Sequence, residues 1–585
     1  MAALWAAAAS TGRAQPPFLA QEGRVWREIP WAEASLRVDE IAAGLLAMDV
    51  GAGDRVAILS RTRLEWALCD QALAAIGAIS VPVYPTASAV DSAYVLAHSG
   101  ATLAIVEDAA QLGKVRQAHE ERGVSVRAVV IDGPDGAEPT LGDLAGAGRR
   151  LLAAQPRAVD EARARVDEDD PFSYVYTSGT TGTPKGCVIT HRNYWEMLDM
   201  VRRIPGLVVD GDVALLHLPL AHVFARLVAL MVAPVALTVA FCPDATRLAT
   251  ALRSVRPTLF PSVPRVFETM HAGVLSGFER AGGLSRRVAS GAVAIGRRAA
   301  RRREQGRALG PALAAAVRVA DHLVYRKVKS RLGGRLRHAI SGAAPLRREV
   351  AEFFVALDIP VLEGYGLTEC TTVATANRPD GFRIGTVGTA VPGGEVAISD
   401  DGEILVRGPH VFAGYVADDA ATREAITDDG WLRTGDVGQL DADGFLTITE
   451  RKKDIIVTPG GTNVAPQRIE NALCASRYIS QAIVVGEGRP YLVALLAVNR
   501  DEVGRVARDG AAVDALVEGV VADVNRGLAP EERIRRFAIL AREPSEQEGE
   551  VTPTLKLRRR VCEQHFREDI ERLYAPAGAA DVDRS

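Results

Sequence analysis

Between residues 30 and 132 the apolar positions alternate between two periods. In Trp31–Met48, WAEASLRVDEIAAGLLAM, they recur every three to four residues, the mark of one buried helix face. Asp54–Leu59 (DRVAIL) is a short apolar run after a glycine turn and predicts a strand. Helical spacing returns over Trp66–Gly77, followed by the run ISVPVY. ATLAIVED and VSVRAVVID repeat the strand pattern between residues 100 and 132. Short apolar strands alternating with helices predict an α/β fold of mainly parallel, helix-covered sheets. The longest apolar stretch, Leu227–Cys242, falls short of the ~20 residues that span a bilayer, and Pro234 interrupts it. It predicts a buried helix followed by a buried strand.

The pattern changes from Gly385 to Glu450, where Gly and Asp punctuate short β runs such as EILVRG and DADGFLTITE. This predicts a small β-barrel-like or hairpin-built subdomain at about 385–449. Beyond ERKKD (Glu450–Asp454) come a strand, a glycine turn and a helix in IIVTPGGTNVAPQRIENAL, then a β-hairpin around GEGRP. Helices around the polar loop EQEGEVTPTLKLRRR close the chain. The expected organisation is an N-terminal domain over 1–449, a joint at 450–454 and a smaller α+β domain over 455–585. Residues 276–337 stand apart as an Ala- and Arg-rich helical insert. Its positive clusters fit either a solvated basic helix pair or a surface that docks on anionic lipid or a phosphorylated partner.

Composition narrows the classes. At about 150 residues per domain, 585 residues suggest roughly four folding units. With 48% hydrophobic and 24% charged residues, the chain is neither disordered nor a collagen or coiled-coil rod. Its 69 basic and 73 acidic residues leave a net charge of −4, which argues against a dedicated nucleic-acid binder. Six cysteines without a CxxC pair exclude a disulfide framework and the usual zinc spacings, and fit a reducing compartment. No Lys or Arg precedes the first apolar run, so no signal peptide is expected. The expected location is cytoplasmic, with peripheral contact at the inner membrane face left open.

The strongest chemical signal is Tyr176–Gly186, YTSGTTGTPKG. Its glycines, Gly179 and Gly182 among them, allow close backbone approach to phosphate oxygens. Thr177, Ser178, Thr180 and Thr181 can donate to those oxygens, and Lys185 adds a point charge. The lysine lies between Pro184 and Gly186, so this is not a Walker loop.

The segment resembles the phosphate loop of the adenylate-forming (AMP-binding) superfamily of acyl- and aryl-CoA synthetases, adenylation domains and firefly-type luciferases. Further matches follow in order: HLPLAHVFAR (His217–Arg226), SGAAPL (Ser341–Leu346), EGYGLTE (Glu363–Glu369), WLRTGD (Trp431–Asp436), ERKKD and TPTLK (Thr552–Lys556). The resemblance implies an adenine-contacting turn at Gly342, Ala343 and Ala344, and an aromatic-plus-acid motif at Glu363, Gly364 and Tyr365. Tyr365 offers a flat face for adenine. Thr368 can donate to the α-phosphate, and Glu369 supplies an oxygen to Mg²⁺. The resemblance places Asp436 at the ribose hydroxyls, Arg451 at the nucleotide and Lys453 at a hinge. His222 becomes a wall and orienter beside the acyl carboxylate. It is not a general base, because a fatty acid is already ionised at pH 7. Lys556 is the expected catalytic group, offsetting the repulsion between the carboxylate and the α-phosphate. Gly460 and Gly461 would line a channel for CoA, while Thr462 stands where many relatives carry lysine.

The insert and the EGYGLTE variant resemble long-chain fatty acyl-CoA synthetases. The implied substrates are a fatty acid, ATP with Mg²⁺, and CoA, without nucleic acid. Candidate walls of the acyl channel are the apolar segment from Leu227 and the run Val355–Leu362. Two alternatives stay open: an acyl-AMP ligase serving a carrier protein, and a non-catalytic nucleotide or lipid sensor.

Overall fold

A computed structural model describes residues 1–23, 25–133, 138–177, 184–304, 307–457, 463–507, 509–552 and 557–575. The alternating segment forms the parallel strands Arg55–Leu59, Ile79–Val83, Leu103–Val106 and Arg127–Val130 of a seven-stranded sheet. Pro171–Thr177 joins it and pairs antiparallel with Lys185–Thr190. A nine-stranded sheet carries the parallel strands Val213–Leu216, Thr238–Phe241, Leu259–Ser262, His338–Ser341 and Val361–Tyr365. Its far edge is the hairpin Phe18–Glu22 and Val25–Ile29, which the apolar pattern did not single out.

The apolar stretch from Leu227 behaves as expected. Helix Val223–Leu230 and strand Thr238–Phe241 are buried in the main core.

The segment 385–449 differs from a barrel. It contributes the antiparallel strands Glu395–Ile398, Glu403–Arg407, Leu432–Leu440 and, ending at Arg451, Leu446–Arg451. Four strands are too few to close a barrel. Its short strands Thr389–Ala390 and Gly414–Tyr415 extend the two large sheets instead.

The insert is more than a helix pair. Helices Pro264–Ala281, Gly283–Glu304 and Pro311–Ala320 lead through a wide turn into Arg326–Arg331. Small residues face inward on the second of these. A Cβ on Gly296 would lie 2.4 Å from that of Ala356, which brings this helix close against Arg348–Ala356.

The C-terminal sheet is built from the expected hairpin, Ile479–Val485 with Leu492–Val498, and a parallel third strand, Ile534–Ile539. Alternate residues of the hairpin enter separate clusters: Ala482 and Val484 on one face, Ile483 and Val485 on the other. Both faces are covered, which explains a continuous apolar run where a half-exposed strand would alternate.

Candidate functional site

The parallel strands of both large sheets end around one cavity of about 300 Å³. Tyr84, Thr177, Gly342 and Tyr365 line it, each at or just beyond the carboxyl end of its strand. That is where α/β sheets place ligands.

One end of the cavity is polar. Tyr365 is buried and its hydroxyl donates to Asp436 Oδ2 at 2.7 Å. Arg451 Nε lies 3.2 Å from the other oxygen, Oδ1, of the same carboxylate. Asp436 and Arg451 are cross-strand partners, so the antiparallel register sets the pair. Each Asp436 oxygen retains acceptor capacity beyond these contacts.

Thr368 and Glu369 follow in a short 3-10 turn and line the cavity. A Cβ on Gly366 would sit 1.9 Å from the Thr372 carbonyl oxygen, so only glycine permits the chain to turn there. Ala343 and Thr372 line the cavity with φ of 73° and 114°, and Thr371 between Glu369 and the wall has φ of 50°. Such left-handed non-glycine residues store strain and concentrate at functional sites.

Glu369 Oε1 accepts a 2.9 Å hydrogen bond from the Tyr415 hydroxyl. Burial raises the pKa of this carboxyl above the ordinary value, partly opposed by the Tyr415 bond and by Arg451. The Tyr415 ring also lies 5.0 Å from Lys185 Nζ, within cation–π reach. Tyr415 thus links the base of the glycine-rich loop to Glu369. The sequence carried no signal for it beyond a tyrosine in a two-residue strand.

Glu363 has a supporting place as well as a lining one. Its Oε2 accepts the Leu346 N–H at 3.0 Å and fixes the end of the Ser341–Leu346 turn. Burial pushes its carboxyl up to about 7. Gly364 lines the cavity, whereas Ala344 is exposed and is not among the lining residues.

His222 lines the cavity and caps helix Val223–Leu230, accepting the Phe224 N–H on Nδ1 at 3.2 Å. With Nδ1 as acceptor, the neutral ring carries its proton on Nε2. Four residues further, Arg226 is buried among aromatic rings. It pairs with Asp70 and donates to Ser173 and Ser80 at 2.6 Å, tying this helix to the other sheet.

The opposite end of the cavity is apolar. Leu227, Val228, Met231 and Leu237 line it, as the stretch from Leu227 predicted. The second expected wall is corrected: of Val355–Leu362, only Leu362 reaches the cavity. Val355 packs with Phe353 and Phe354 in the separate cluster that also takes in the insert, because its helix serves as the insert's platform. Val201, Ile204, Leu207 and Val208 supply the missing wall.

The run Leu557–Arg560 splits three ways. Arg558 lines the cavity, Arg559 binds the buried Glu470 at 2.7 Å, and Arg560 is exposed. At the joint, Lys452 binds Asp401 and Glu403 at 2.6 and 3.0 Å, and Lys453 is exposed. Ser178, Gly179, Thr180, Thr181, Gly182, Gly460, Gly461 and Lys556 lie outside the described residues. Thr552, Leu557 and Arg558, which flank Lys556 in sequence, line the cavity.

A profile of the AMP-binding enzyme family matches residues 6–416, and one of the AMP-binding enzyme C-terminal domain matches residues 453–578. The chain belongs to the AMP-binding enzyme family. This AMP-binding enzyme is 38% identical to the long-chain-fatty-acid–CoA ligase FadD15 of Mycobacterium tuberculosis, over 94% of its own chain and 93% of that ligase. It is 31% identical to the peroxisomal long chain acyl-CoA synthetase 6 of Arabidopsis thaliana, over 95% and 83% of the two chains. Among solved structures it is similar to ATP-bound MatB from Rhodopseudomonas palustris, with a TM-score of 0.71 and 23% identity over 97% of this chain and 99% of that one. The adenylation domain of a carboxylate reductase from Mycobacterium chelonae gives 0.76 and 22%, over 98% and 91%. These two share the fold of the AMP-binding enzyme.

Proposed function

We propose that this AMP-binding enzyme is a long-chain fatty acid–CoA ligase working through an acyl-adenylate. The observation that carries the reading is the single cavity joining a polar end, with Tyr365, Thr368, Glu369 and Arg451, to an apolar end beneath helix Val223–Leu230. The similarity to long-chain ligases over nearly the whole chain supports the same substrate class.

In this reading the acyl chain fills the apolar end, where each buried CH₂ contributes ~0.8 kcal/mol. His222, at the boundary, orients the carboxylate. A carboxylate oxygen attacks the α-phosphorus, the bond to pyrophosphate breaks, and pyrophosphate leaves. The CoA thiol then attacks the acyl carbon, the acyl–phosphate bond breaks and AMP leaves. Tyr365 faces the adenine, Asp436 and Arg451 hold the ribose side, and Lys185 with the Thr177–Lys185 loop holds the phosphates. Lys556 bridges the two anions of the first step. The cavity-lining positions of Thr552 and Leu557 support that assignment. Lys453 serves as pivot, and Gly460 and Gly461 line the thiol channel after rotation. The substrates bring both nucleophiles, so no side chain need be one.

Glu369 fits a Mg²⁺ ligand. Burial raises its pKa, and a neighbouring cation would oppose that shift. Mg²⁺ commonly binds through one or two carboxylates together with substrate phosphates, so Glu369 with the nucleotide would suffice. When bound, that ion neutralises phosphate charge.

The location proposed is cytoplasmic, with the insert touching anionic lipid at the inner membrane face. Residues 276–337 carry sixteen Lys and Arg against three Asp and Glu, in a chain whose total charge is −4. Val288, Val319 and Leu323 stand exposed among them. No helix among the described residues is long and apolar enough to cross a membrane. Vesicle flotation should show salt-sensitive binding, and no binding at low salt would end this part of the reading.

Pyrophosphate release screened from acetate to stearate tests the function. Preference for long acids is expected, and preference for acetate would refute the substrate class. Acyl-AMP accumulating beside free CoA would favour the carrier-protein ligase.

A further inference from the structure

Two arginines of the large domain reach across to the C-terminal domain. Arg347 directly follows the Ser341–Leu346 turn and immediately precedes helix Arg348–Ala356. Its Nη1 donates to the Cys474 carbonyl at 2.6 Å, while Glu268 holds Nε at 2.9 Å. Cys474 ends helix Pro466–Cys474, whose last turn contains no basic residue. The final carbonyls of a helix lack intrahelical donors and form the negative end of its dipole. Arg347 thus supplies, from the other domain, the cation this helix end lacks. Arg265, one turn before Glu268, donates to the Ser480 carbonyl at 3.1 Å and lies 3.7 Å from Glu543.

We infer that Arg347 and Arg265 are positioning residues that latch the C-terminal domain in the orientation turning Thr552 and Leu557 to the cavity. Arg347 further couples that orientation to the turn that lines the nucleotide end. Neither arginine lines the cavity. A latch of this orientation serves acyl-adenylate formation and not the thiol step, so the inference rests on the proposed function.

The test uses full-length Arg347→Ala, Arg265→Ala and Arg347→Lys. Two half-reactions are measured separately: acid-dependent pyrophosphate–ATP exchange, and thiolation of supplied acyl-AMP. Arg347→Ala should lose about tenfold in exchange, the scale of one charge-assisted hydrogen bond, and keep thiolation. Arg265→Ala should lose less, and Arg347→Lys should recover part of the exchange. Equal losses in both half-reactions, or no loss in exchange, would overturn the latch. Hydrogen exchange provides a readout that needs no turnover. Amides of residues 467–480 should exchange faster in Arg347→Ala, and unchanged exchange would overturn the latch too. Absence of exchange activity in the unmodified enzyme with any acid would instead sink the functional reading, leaving the hydrogen-exchange comparison to decide the latch.

Discussion

Tyr415 joins two parts of the polar site, with its ring near Lys185 and its hydroxyl on Glu369. Tyr415→Phe removes a hydrogen bond that favours the ionised carboxylate. The variant should lose about tenfold in acid-dependent pyrophosphate release, the cost of one hydrogen bond to a charged group. The loss should be smaller at pH 8.5 than at pH 6.5, because the Glu369 pKa rises further. An unchanged pH profile would contradict the coupling. Glu363 gives a second test. Burial lifts its pKa from 4.5 to about 7, so the folded protein keeps a proton that the unfolded chain releases. Its contribution to stability is full below pH 4.5 and falls as pH rises to about 7. Glu363→Gln should flatten that part of the stability profile, read as melting temperatures at pH 5 and 7.5. An equal slope in both proteins would refute it. At this scale the motifs named Tyr365, Asp436 and Glu369 because each belongs to a short run of residues contiguous in sequence. Tyr415 escaped because only sheet pairing brings residue 415 beside residue 187 and so near the loop.

At the scale of elements, the alternation of helix and strand over 30–132 was readable because each strand carries an unbroken apolar run. Helix Val223–Leu230 and its following strand were readable for the same reason. The helix Arg348–Ala356 misled because apolar periodicity shows that a face is buried and not what covers it. Here the covering partner is the insert, and the cavity took its remaining wall from the end of the His191–Arg202 helix and the loop after it. In 385–449 the strand runs were visible and the hairpin-built expectation describes them better than a barrel, but the sheet each strand joins was not visible. In the proposed function the apolar walls also set chain length. Met231→Trp fills the end of the cavity, so activity on stearate should fall more than tenfold while octanoate is spared. Each excluded CH₂ forfeits ~0.8 kcal/mol, roughly fourfold in affinity. Parallel losses on both acids would contradict the channel.

For the whole molecule, the decisive arrangement is a small α+β domain closing on a cavity built by two sheets. The change of pattern at Glu450–Asp454 is the sequence's signal for two domains. It could not show their relative orientation, since the contacts of Arg347 and Arg265 join positions more than 120 residues apart. Lys556→Ala should abolish acyl-AMP formation and leave thiolation of supplied acyl-AMP largely intact, and equal loss of both steps would remove Lys556 from the first. The most direct measurement is a single turnover with enzyme, palmitate and Mg-ATP, followed by CoA. The account predicts one pyrophosphate per active site and retained palmitoyl-AMP before CoA is added, then conversion to palmitoyl-CoA and AMP. Pyrophosphate released without palmitate, or palmitoyl-AMP that persists in excess CoA, would contradict it.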